Sequence, residues 1–63
     1  MVEFQMTAGG YQVFVDEKPF GYISRERGFF TDPTVIKEFV AVNNYDLRAI
    51  ADKAEEVQGV RFF

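Results

Sequence analysis

Val2-Glu3-Phe4-Gln5-Met6-Thr7-Ala8-Gly9-Gly10-Tyr11-Gln12-Val13-Phe14-Val15 is the stretch on which the fold turns. Apolar and polar side chains alternate from Val2 to Thr7, the period of a strand buried on one side. Gly9-Gly10 then supplies the positive backbone angles that a tight hairpin turn requires. Closing that turn with Ala8 opposite Tyr11 sets Met6 against Val13 and Phe4 against Val15. One face then collects Val2, Phe4, Met6, Tyr11, Val13 and Val15.

Asp16-Glu17-Lys18-Pro19 reads as the next turn, since its residues favour turns and disfavour a central strand. With Val15 opposite Phe20, the third strand runs to Arg25 and adds Phe20 and Tyr22 to the apolar face. Phe14 and Ile23 fall on the reverse face, with Phe14 across from Gly21. Val2 to Arg25 is therefore expected to be a three-stranded antiparallel meander.

Downstream, Thr31-Asp32-Pro33 is a helix-start signal, a capping side chain followed by proline at the first helical position. Val35, Ile36, Phe39 and Val40 then form an apolar stripe, and a helix is expected from Pro33 to Asn43. The β-branched residues in that segment make a strand the competing reading. Asn43-Asn44-Tyr45 breaks the chain. Asp46 to Gln58 is the clearest helix, with Leu47, Ile50, Ala51, Ala54 and Val57 on one face and Gly59 as its stop. Val60-Arg61-Phe62-Phe63 is open to three readings: a short C-terminal strand, a core segment or a free tail. The expectation is one α+β domain over residues 1–63, β-β-β-α-α, with one or two helices on one face of the meander.

Composition narrows the function. The 63 residues contain no cysteine and no histidine, so the commonest zinc ligands and the commonest general base are missing. No catalytic residue, metal or cofactor is expected, and an enzyme is not. A net charge of −3 disfavours nucleic acid and anionic membranes, which both need a basic face. No apolar run approaches the ~20 residues of a membrane span, and a cytoplasmic protein is the expectation.

Aromatic residues make up 17% of the chain, eight of them Phe, more than a core this small readily buries. Exposed rings mark interfaces. The leading expectation is a protein-interaction or assembly module that binds itself, as a homodimer or larger, or covers a partner protein. The candidate contact residues are Phe29, Phe30, Phe62 and Phe63, with Phe14 and Ile23 as a second patch on the reverse sheet face.

The alternative is a nucleic-acid-associated regulator using Arg25, Arg27 and Phe29. Arg27-Gly28-Phe29 is similar to the opening of the basic-Gly-aromatic strand of RNA-recognition motifs, but Phe30 stands where that pattern has a small residue. A helix-turn-helix reading of the two expected helices founders on charge. Asp46, Asp52, Glu55 and Glu56 outnumber Arg48 and Lys53 on the second helix and would repel phosphate. Asp52, Glu55 and Glu56 are read instead as a solvated helix face.

Overall fold

The computed structural model describes residues 1–59. Four strands, β1 (Val2–Thr7), β2 (Gly10–Val15), β3 (Lys18–Ser24) and β4 (Gly28–Thr31), form one antiparallel sheet in the order β1-β2-β3-β4. One helix, α1 (Asn44–Gln58), follows. The α+β class and the meander stand as expected, while the sheet has a fourth strand and the helical layer a single helix.

The first hairpin closes one residue earlier than Gly9-Gly10 suggests. Thr7 pairs with Gly10, so Ala8-Gly9 is the turn, Met6 faces Tyr11, Phe4 faces Val13 and Val2 faces Val15. Each opposing residue moves by two positions, and a shift of two leaves every side chain on its expected side. Gly10 is needed in β2 itself, because a Cβ there would run into the Ile23 carbonyl oxygen of β3.

The second hairpin moves by two positions beside the turn but by one beyond a bulge, and the odd shift changes the faces there. Asp16 and Glu17, at φ 51° and 69°, make a two-residue turn of type I′ character, and Val15 pairs with Lys18. Phe14 lies opposite Pro19 rather than Gly21, and Val13 lies opposite Gly21, leaving Phe20 as the extra residue of a bulge. Beyond the bulge, Tyr11 pairs with Ile23 and Gln12 with Tyr22. Ile23 therefore turns into the core, at 1% exposure, and the reverse-face position expected for it is corrected. Tyr22 takes the open side in its place. Burying the aliphatic side chain and leaving the phenol at the surface is the cheaper arrangement. The bulge keeps Phe20 on the core side, stacked on Phe29 at 5.7 Å between ring centroids.

Arg25, Glu26 and Arg27 turn the chain into β4, with the Arg27 amide donating to Ser24 Oγ (2.9 Å). Phe29 pairs with Ile23 and packs on the core; Phe30 pairs with Tyr22 and faces the other way.

The helix expected over 33–43 is not formed. Asp32 does cap: its Oδ1 accepts from the Thr34 amide (2.9 Å) and hydroxyl (2.7 Å), and its carbonyl accepts from the Val35 and Ile36 amides. These bonds close one turn, after which residues 36–43 run irregularly. Initiation is costly, and Val35, Ile36, Val40 and Val42 propagate a helix poorly. Lys18 meets this connector, 3.6 Å from the Glu38 carboxylate and 3.5 Å from the Phe39 carbonyl.

At the start of α1, Asn43 Oδ1 accepts from the Asp46 amide (2.9 Å) and Asp46 Oδ2 accepts from the Asn43 amide (3.4 Å), a capping box. Gly59, left-handed at φ 68°, ends the helix and donates to the Glu55 carbonyl. Ile50 joins Val13 and Ile23 at the centre of the core, with Val2, Phe4, Phe20, Phe29, Ala54 and Val57 packed around them. The helix is rotated from the face its apolar stripe suggests. Leu47 is 50% exposed and Ala51 lies at the surface, whereas Asp46 is buried. Lys53 lays its stem over the sheet, with Nζ 4.4 Å from the Tyr11 ring centroid and 5.7 Å from that of Phe4.

Val60-Arg61-Phe62-Phe63 lies outside the described residues, and with it the readings of that segment as strand, core or tail and of Phe62 and Phe63 as contact residues.

Candidate interaction surface

Residues directly opposite in an antiparallel sheet share a face, so the register lays out the side away from α1 row by row. Thr7, Gly10, Ser24 and Gly28 form one row across all four strands. The middle row is Gln5, Gln12, Tyr22 and Phe30. The third is Glu3, Phe14 and Pro19. Polar side chains thus occupy β1 and the centre of β2, while the rings are Phe14 at one end of β2 and Tyr22 and Phe30 on β3 and β4. Tyr22 and Phe30 lie with centroids 5.9 Å apart, and Phe30 is 37% exposed.

Charge divides this surface along the strands. Beside Phe14, Glu3 and Glu17 line a shallow concavity of about 290 Å³. At the opposite end, Arg25, Glu26 and Arg27 line another of about 390 Å³ together with Ser24 and Phe30. One end is acidic and the other carries two cations against one carboxylate.

On the helix side, the tip of the β1–β2 hairpin and the end of α1 frame an open concavity of about 470 Å³ that contains Arg25 and Glu56. These two offer opposite charge but no paired acid and base of the kind acid–base chemistry uses. Among the described residues, no group of three or more carboxylates is placed to hold a metal ion.

The Met1 amine donates to Asp16 Oδ1 at 2.6 Å and lies 3.8 Å from Asp46 Oδ1. The hydrogen bond with Asp16 raises the amine pKa above its ordinary value and lowers that of the carboxyl. With the Asp16 amide donating to the Met1 carbonyl (2.8 Å), this pairing ties the start of β1 to the β2–β3 turn and the head of α1. Hydrogen bonds from the Thr34 hydroxyl and amide likewise lower the Asp32 carboxyl. Both groups hold backbone in place.

Of the residues singled out in the sequence, Phe14 and Phe30 share the open face, with Arg25 and Arg27 at its end. Phe29 and Ile23 belong to the core side. Tyr22 and Pro19 complete the surface, although the sequence pattern assigned Tyr22 to the core face and Pro19 to a turn. The signal for Tyr22 is its neighbour: when Tyr and Ile adjoin in a strand, one must face outward, and Ile is the more often buried. Phe39 and Tyr45 are each 83% exposed and sit off the sheet, in the connector and at the start of α1.

No family model matches the chain, and neither a curated protein nor a solved structure matches it. Among the described residues no helix is long and apolar enough to cross a membrane.

Proposed function

We propose that the chain is a non-catalytic protein-interaction module whose working surface is the open face of its sheet. The supporting observation is the group of Phe14, Pro19, Tyr22 and Phe30 on the side that α1 leaves uncovered. Rings presented from strands bring a large contact area at little entropic cost, and such residues dominate binding energy at interfaces.

A photo-crosslinking side chain at Phe30 should capture a partner polypeptide, whereas the same group at Asp52, on the exposed face of α1, should not. Capture from Asp52 alone would move the interface to the helix and end this reading.

One observation favours a second reading, a nucleic-acid-associated regulator: Arg25, Arg27 and an exposed ring line one concavity. That ring is Phe30, since Phe29 packs against Phe20. Single-stranded nucleic acid would stack on Phe30 and Tyr22 and pair its phosphates with the arginines. Fluorescence anisotropy at low salt tests it, and the absence of salt-sensitive binding removes it.

A further inference from the structure

We infer that the partner of the open face is a second copy of the same chain, apposed through a two-fold axis that lies between the sheets and runs across the strands. The inference rests on the reading of that face as an interface, and three features of the face carry it.

The first is charge. A two-fold across the strands reverses their direction, so Glu17 in the β2–β3 turn is brought towards Arg25 and Arg27 in the β3–β4 turn of the other copy, twice over, while Glu3 on the edge strand falls over Thr7. An axis along the strands would instead set acid on acid. The second is the placement of the rings. The same axis keeps β4 over β4, so Tyr22 and Phe30 meet their own counterparts, whereas an axis along the strands would lay them on Gln5 and Gln12. The third is relief. The middle row maps onto itself, and the bulky row of Phe14 and Pro19 falls over Gly10 and Ser24, the small row of the other copy. One symmetry operation satisfies charge, apolar contact and shape together, as a closed two-fold interface requires. The product is a sandwich of two sheets about 10 Å apart, each backed by its own helix.

Size sets the strength. A sheet four strands wide and six residues long measures about 19 by 20 Å, roughly 400 Å² a side and below the usual size of a stable interface. Association is therefore weak, with half-dissociation at roughly 10–100 µM.

Sedimentation equilibrium of the full chain from micromolar to millimolar concentration tests this. The mass should rise from one copy to two. Tyr22→Ser with Phe30→Ser should leave a monomer with unchanged far-UV circular dichroism. Arg25→Glu with Arg27→Glu, and separately Glu3→Lys with Glu17→Lys, should each weaken the dimer at least about tenfold. Mixing the two charge-reversed proteins should restore it as a heterodimer, which a mere folding defect would not do. A monomer at every concentration overturns the inference, as does a dimer indifferent to both charge reversals. If a monomeric chain still cross-links from Phe30 to another protein, the second copy is excluded and the interaction surface stands. If it cross-links to nothing, both fall.

Discussion

Gly9 and Gly10 are adjacent in sequence and unequal in structure. A Cβ at Gly9 meets nothing within 4 Å, while one at Gly10 strikes the Ile23 carbonyl. Gly9→Ala should change stability by less than about 0.5 kcal/mol, and Gly10→Ala should cost about 2 kcal/mol or more, read from urea unfolding. The pair of glycines was legible as a hairpin signal. Which one the turn uses was not, because the second answers to β3, which lies later in the chain. The Met1–Asp16 pair makes a separate prediction. Asp16 is lowered from 3.8, so its contribution is complete above that value and lost as pH falls through the lower folded pKa. The amine is raised from 8.0, so its contribution is complete below that value and lost as pH rises through the higher folded pKa. Asp16→Asn should shrink the acid limb to the part that Asp32 contributes and flatten most of the alkaline one, measured as melting temperature against pH. Both groups are solvent-exposed, and the limbs should shrink in salt.

At the level of elements, α1 shows what periodicity conveys and what it leaves out. Its existence follows from spacing and its stop from Gly59. Its rotation does not, because the buried face includes Asp46, held by the capping box, and the Lys53 stem, which covers Tyr11 and Phe4. Leu47 and Ile50 look equivalent in the sequence and should differ sharply on truncation. Ile50→Ala should cost about 2–5 kcal/mol, and Leu47→Ala about 1 kcal/mol or less, by the same denaturant titration. The sheet divides in the same way. β1 and β2 alternate cleanly and were legible, whereas a single bulge residue, Phe20, reversed the faces of the rest of β3. β4 has only four residues, Gly-Phe-Phe-Thr, and no period to read. The open face was therefore half visible: Phe14 and Phe30 could be nominated, but Ile23 and Tyr22 had to exchange places.

For the whole molecule, the governing fact is how little is fully buried. Val13, Val15, Ile23 and Ile50 are the buried hydrophobic residues among those described, and most rings sit at the margin of the core or on the open face. A sheet covered on one side only leaves such a domain short of burial, and a second layer is the usual remedy. The order of the strands bears on something else. Each pairs with its predecessor in the chain, and α1 closes over them last. Local pairings of this kind form without waiting for distant segments, so the main refolding phase should be fast, on the order of 10²–10³ s⁻¹ by stopped-flow fluorescence of the tyrosines. On the ribosome the same order lets the sheet assemble strand by strand as it emerges, with Ile23 and Phe29 unshielded until α1 arrives.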